Sequence, residues 1–301
     1  MWLTAIGVLL LSNSLTQVTL KSIVNKLPMA KSLVLQFFFC ALFMILLNLA
    51  LGKINFEMPF LAIGILGSIN AFGAYCQWRA YRYSLSKSVL LLPLAVVITL
   101  ILAAILLNES KIYDPWMIAG AVMLIASALI LSVKKKAGDK REDLGIKWLA
   151  FVLGMVLISA IATFLMKYAA SDASRDAFPV LELFPQDAPR ETFLLYWYVG
   201  AFLGALPIMW LERADRARLI QKGIWRVPLA SAGILTALGS TYWAFELAPA
   251  GTVLTISSFS VTFISLLFGW IIFKEMKGLH RKQIAGFLLG SIGVILVILN
   301  T

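Results

Sequence analysis

The chain has 301 residues, of which 61% are hydrophobic and 14% charged, with a mean hydropathy of +0.90. That is more apolar side chain than a soluble domain can bury, so the composition excludes a soluble globular protein and places the chain in a bilayer. The net charge of +11, from 26 Lys and Arg against 15 Asp and Glu, reads here as the basic excess of cytoplasmic loops rather than as a nucleic-acid footprint.

Apolar runs of the length a helix needs to cross the hydrocarbon core predict five spans in each half. In the first half they lie at 2–24, 32–51, 58–81, 85–107 and 114–133. The first begins at Trp2 without a basic leader or a small-x-small cleavage pattern, so it is expected to be a retained span. Asp114 and Pro115 read as an N-cap followed by proline at the first helical position, and Pro59 and Pro228 also open spans. Pro93 and Pro207 fall inside spans and predict kinks. A basic linker, 134–145, leads to the second half, with spans at 146–168, 193–211, 227–247, 251–273 and 280–299. Cys40 and Cys76 lie in apolar runs without metal-ligand spacing and read as small hydrophobes.

The second half repeats the first. Ile98, Leu100, Ile105, Glu109, Lys111, Ile118, Ala119 and Gly120 recur 166 residues later as Ile264, Leu266, Ile271, Glu275, Lys277, Ile284, Ala285 and Gly286. Trp2, Leu3, Leu11 and Lys21 recur at an offset of 146 as Trp148, Leu149, Leu157 and Lys167, so the extra 20 residues fall in 172–191. Twenty Lys and Arg fall on alternate loops and only Lys53, Lys111, Arg175 and Arg190 on the others, which predicts ten spans with the basic loops cytoplasmic. Five spans per half is odd, so the second half enters the membrane in the opposite sense. The expected fold is therefore an all-α integral membrane protein of ten transmembrane helices in two inverted five-helix repeats. Its divisions are 1–133, the linker 134–145, and 146–301 with an extracytoplasmic loop at 169–192; both termini are expected outside the cytoplasm, in an inner cell membrane.

With these residues in place the sequence resembles the drug/metabolite transporter superfamily, in particular its ten-span EamA-type permeases. The resemblance rests on Leu107-Asn108-Glu109 through Trp116 and Gly120, on Phe273-Lys274-Glu275 through Gln283 and Gly286, and on Tyr242-Trp243-Ala244 with Ala248-Pro249-Ala250. Members of that family usually keep both termini in the cytoplasm, and the charges here predict the reverse. The resemblance implies a central substrate cavity lined by spans 1, 3, 4, 6, 8 and 9, with spans 5 and 10 peripheral.

Glu246 is the only acid placed within a predicted span, where a charge costs about 2.5 to 3.5 kcal/mol on the lenient scale. It reads either as a proton- or cation-coupling carboxylate or as an end-of-helix acid that is paired or wetted. Lys21 and Lys167, at equivalent positions, read either as cations facing a substrate carboxylate or phosphate or as snorkelling residues. Asn70, Tyr75, Gln77 and Trp78 in span 3 and Tyr242 and Trp243 in span 8 complete the candidate substrate-binding set, since rings with polar handles line small-molecule sites. Asn13, Gln17, Gln36, Arg79, Thr163, Thr236, Ser240, Thr241, Ser257, Ser258 and Thr262 form a wider polar set. Glu109 and Glu275 sit in short turns and read as helix caps. Gly200 and Gly204, and Gly286, Gly290 and Gly293, read as close-packing stripes.

His280 sits in a basic loop, and there is no P-loop, zinc spacing or Gly-x-Ser-x-Gly motif, so the expected function is secondary and not enzymatic. It is export of an amino acid or related metabolite by rocking of the two halves, with protons exchanged through Glu246. The partners are then a small solute, protons and membrane lipid, with no nucleic acid or cofactor, in a monomer or homodimer. A flippase for lipid-linked or amphipathic molecules and a non-transporting assembly or sensor subunit are the alternatives.

Overall fold

The computed structural model describes residues 2–24, 27–53, 58–106, 115–132, 145–170, 184–185, 188–212, 224–247, 253–254, 257 and 281–299. These form helices and turns, with no strand among them. The helices are α1 (Trp2–Val24), α2 (Met29–Ala50), α3 (Leu61–Tyr83), α4 (Leu85–Val89), α5 (Pro93–Leu106), α6 (Pro115–Ser132), α7 (Gly145–Ala169), α8 (Arg190–Leu211), α9 (Arg226–Leu247) and α10 (Arg281–Leu299). They occupy nine of the ten predicted stretches; the stretch 251–273 lies almost wholly outside the described residues, as do Glu109, Glu275 and His280.

Four described helices are long and apolar enough to cross a membrane: Met29–Ala50, Met58–Tyr83 with its opening 3-10 turn, Gly145–Ala169 and Arg190–Leu211. The outward faces agree. Leu11 and Leu15 on α1, Ile65, Ile69 and Phe72 on α3, Ile118, Val122 and Ile125 on α6, and Leu153, Leu157 and Ile161 on α7 are all exposed. Their spacing of three and four residues draws an apolar stripe down the outside of each helix, which water would penalise and lipid tails accept. This is an all-α membrane protein.

Two sequence details resolve differently from expectation. The predicted fourth span, 85–107, is not one kinked helix: α4 stops at Val89 and α5 restarts with Pro93 at its first position. Between them Leu91 N bonds Ser88 O at 3.2 Å and Leu92 N bonds Val89 O at 3.1 Å, so the chain tightens into three-residue turns before the proline. By contrast, α8 runs through Pro207 without a break. At the end of α2, Gly52 adopts φ 64°, and Lys53 N reaches Asn48 O at 2.9 Å while Gly52 N reaches Leu49 O at 3.1 Å, a complete glycine-terminated cap.

Side-chain contacts fix the directions of the packed helices. A Cβ on Gly233 of α9 would meet Thr16 of α1, and Arg226 at the start of α9 bonds Ser22 near the end of α1 at 3.4 Å, so the two run antiparallel. Gly73 and Cys76 of α3 face Ile158 and Gly154 of α7, also antiparallel. Helix α2 ends beside the start of α8, where Asn48 Nδ2 donates to Glu191 O at 3.3 Å. Between α3 and α8 the order is parallel: a Cβ on Gly200 would overlap the carbonyl of Gly64, one on Gly204 would sit 2.6 Å from Ser68 Cα, and Ser68 Oγ donates to Gly200 O at 2.8 Å. The glycine stripe of α10 is spent inside the chain as well, since Ser127 of α6 donates to Gly286 O at 2.7 Å.

The same contacts bring Lys147, Arg79, Arg82, Lys87 and Arg226 to one end of the bundle, where Trp148 Nε1 donates to Ser88 Oγ at 3.0 Å. Lys53 and Arg190 stand at the other end, on either side of Glu191 at 3.6 and 3.4 Å.

Candidate functional site

Midway along the helices lies a cavity of about 190 Å³. Six helices from both halves wall it: Asn13, Thr16 and Leu20 of α1; Gln36 and Phe37 of α2; Asn70, Gly73, Ala74, Gln77 and Trp78 of α3; Ser159 of α7; Trp197 and Tyr198 of α8; and Ile234, Ala237, Leu238 and Thr241 of α9. Amides, hydroxyls and indoles alternate with hydrocarbon, and none of these lining residues carries a charge. A partly polar cavity thus sits within an otherwise apolar core, with hydrocarbon on the outer faces as well.

The wall is held by bonds outside the cavity's own chemistry. Ser231 Oγ donates to Gln36 O at 3.0 Å, fixing α2 against α9. Gln77 Nε2 donates to the hydroxyl of Tyr81, one turn on, at 2.9 Å. Tyr198 OH donates to Ile234 O at 3.4 Å. Two buried polar atoms of the wall have no hydrogen-bond partner: Gln36 Oε1, an acceptor, and Trp78 Nε1, a donor, in residues 2% and 0% exposed. Among the described residues the one other such atom is Asn48 Oδ1, at the far end of α2.

Of the nine residues expected to bind substrate, three, Asn70, Gln77 and Trp78, line the cavity. The other six do not. Lys21, 4% exposed, donates through Nζ to Tyr81 O at the C-terminal end of α3. Lys167, 9% exposed, donates to Phe245 O at the C-terminal end of α9, at 3.3 Å. The repeated lysine is thus a repeated helix-end cap, its charge set against the negative pole of a neighbouring helix. Because α1 and α3 end where α7 and α9 begin, the two lysines sit at opposite ends of the bundle and cannot converge on one substrate.

Tyr75 belongs to a cluster with Arg79 and Glu212: its hydroxyl donates to Glu212 Oε1 at 2.5 Å, Arg79 Nε donates to that hydroxyl at 3.0 Å, and the guanidinium pairs with the same carboxylate. Trp243 lies under the Arg190 guanidinium, 5.8 Å from its ring centroid. Glu246 is exposed, one residue before α9 ends, at the end of the bundle where Arg190 and Glu191 also stand.

Tyr242 is fully buried, and its hydroxyl reaches the carbonyls of Ala188, at 2.6 Å, and Ala169, at 3.0 Å, pinning α9 to the end of α7 and the approach to α8. Replacing Tyr242 with Phe is expected to lower stability by about 1 kcal/mol and leave ligand binding in the cavity unchanged. A thermal unfolding curve with and without ligand separates the two effects, and a Tyr242→Phe protein that loses ligand response contradicts this placement.

Gln36, Asn13 and Thr241 belong to the wider polar set read from the sequence, and the cavity draws all three together; the side chain of Gln17 lies outside the described residues. Trp197 and Tyr198 were not named as site residues, because span 7 is not among the six spans that the resemblance implies around the cavity. Their signal is an aromatic run, Tyr196-Trp197-Tyr198, inside a span rather than in a membrane-interface belt.

No protein-family description matches the chain, and no curated protein does. A solved structure, described only as a crystal structure of a protein, superposes over 98% of this chain and 96% of its own with a TM-score of 0.60 at 15% identity. At that identity the likeness is one of fold, extending from end to end of both chains.

Proposed function

We infer that the chain is a ten-span secondary permease of the drug/metabolite transporter type, moving a small organic solute by alternating access. The observation that carries this reading is the central cavity: polar side chains from six helices of both halves enclose it at mid-depth, while the outer faces are bare hydrocarbon. Helix pairing supports the inverted repeat. Exchanging each helix for its repeat partner turns the α1–α9 pair into the α7–α3 pair, turns α3–α8 into α9–α2, and returns α2–α8 and α6–α10 to themselves; all of these pairs are packed. Directions follow the same rule, since α1 and α3 run against α7 and α9, and α2 against α8. The end that gathers Arg79, Arg82, Lys87, Lys147 and Arg226 is the cytoplasmic one in this reading, with Trp2 at the opposite face.

Among the described residues of the cavity wall there is no carboxylate, amine or imidazole, and Glu246 is not one of them, which favours passage without a proton on Glu246. Protein reconstituted in liposomes is expected to carry a solute that stabilises it in detergent, and Glu246→Gln is expected to transport at the parental rate from pH 6 to 8. Loss of flux in that variant would restore coupling through Glu246. Movement of a fluorescent lipid in place of any solute would replace the permease reading with a flippase.

A further inference from the structure

We propose that the central cavity selects a small uncharged solute that offers a hydrogen-bond donor to Gln36 Oε1 and an acceptor to Trp78 Nε1. This deepens the permease reading and rests on its identification of the cavity as the solute site.

Three observations carry it. First, Gln36 Oε1 and Trp78 Nε1 are a buried acceptor and a buried donor without partners, and both belong to cavity-lining residues on different helices, α2 and α3; neither atom has accessible surface in the cavity as it stands, so a solute reaches them as the two side chains turn toward it. A buried polar atom left unsatisfied costs about 1 to 3 kcal/mol, so a fold that retains two around one cavity holds back binding energy that a ligand can release. Second, the two atoms differ in kind. One accepts and one donates, which fits a group carrying both functions, such as an amide, a lactam or a polyol, and does not fit a carboxylate, which only accepts.

Third, the described residues of the wall are all neutral. Lys21 and Lys167 are committed to helix-end carbonyls at opposite ends of the bundle, and the Arg79–Glu212 pair and Glu246 are likewise absent from the lining. An ionised carboxylate or phosphate entering this cavity would shed its hydration with no cation to replace it. The aromatic and aliphatic part of the wall, with Phe37, Trp197, Ile234 and Leu238, takes the apolar body of the solute.

The test uses the full-length protein in detergent and two matched pairs of probes, nicotinamide with nicotinate and uracil with orotate. Each pair differs chiefly by one negative charge. The neutral member is expected to raise the unfolding temperature, with binding at least tenfold tighter than that of its charged partner. Gln36→Met removes its polar atoms at similar volume, and Trp78→Phe removes the indole N–H together with part of a fully buried ring. Each is expected to weaken the neutral probe about tenfold, in line with a lost hydrogen bond. Without ligand Gln36→Met is expected to unfold at or above the parental temperature, because it deletes an unsatisfied buried group, whereas Trp78→Phe is expected to unfold lower, because the smaller ring leaves a cavity in a fully buried site. A structural role for Gln36 would instead lower the unfolding temperature of Gln36→Met.

Equal binding of the charged probes, full retention of binding in both variants, or no response to either neutral probe overturns the proposal. Liposome flux separates it from the reading beneath it. Neutral-probe binding that needs Gln36 and Trp78 but yields no flux removes the permease and keeps the site. Flux of a neutral probe that is indifferent to both variants keeps the permease and removes the site.

Discussion

Gly200→Ala is expected to be among the most damaging single-methyl changes in the chain. Its new Cβ would overlap the carbonyl oxygen of Gly64 and lie 2.6 Å from the carbonyl carbon, and neither atom can rotate away because both are backbone. Gly204→Ala meets the same obstacle at Ser68, whose backbone oxygen would be 2.5 Å distant. Relief requires α3 and α8 to separate along their length, breaking the Ser68 bond to Gly200 O and opening the seam beside Trp197. The expected cost is about 3 kcal/mol, the upper part of the overpacking range. Gly7→Ala provides the contrast, since a Cβ there meets nothing within 4 Å and the substitution improves helix propensity by up to about 1 kcal/mol. Thermal unfolding of the three variants in one detergent measures the difference; equal transition temperatures for Gly200→Ala and the parent would show that the helices do not approach this closely.

Breaking one side of the Arg79–Glu212 pair is expected to have the second largest effect. The two side chains are 29% and 17% exposed, so the pair is partly wetted, yet Tyr75 and Arg79 together direct three polar contacts within a cluster centred on one carboxylate. Arg79→Met leaves Glu212 with its Tyr75 bond alone, and Glu212→Gln leaves a guanidinium without a counter-charge. Each single change is expected to cost about 2 kcal/mol, below the range for a fully buried pair because of the exposure. The double variant is expected to recover about half of the summed loss. A double-mutant cycle whose coupling is zero would mean that the carboxylate and guanidinium are independently solvated.

Helix positions were legible because each span is an apolar run bounded by charge or proline, and the structure places helix ends within a few residues of those marks. The break in the fourth span was not. Leu90, Leu91 and Leu92 are as apolar as the helices they separate, so hydropathy passes over the turn, and Pro93 reads equally as a kink or a first residue. The equivalence of Lys21 and Lys167 was visible from the repeat, but not their task, since a main-chain carbonyl acceptor exists at every position and carries no sequence signature. Glycines 200 and 204 announced close packing, while their partner, the face of Gly64, Gly67 and Ser68, emerges only when α3 lies beside α8. For the site, sequence found the polar residues and could not rank them. Polar character is local, whereas being left unpaired, as Gln36 Oε1 and Trp78 Nε1 are, depends on every neighbour that failed to arrive.

The seam between α3 and α8 also limits how the molecule can move. Backbones that touch through glycine leave no layer of side chains to shear, so a displacement of one helix drags the other with it. Helix α3 comes from the first half of the chain and α8 from the second. On the permease reading, a body that swings to expose the cavity therefore includes both. Helices from both halves of the sequence would then form one mechanical part.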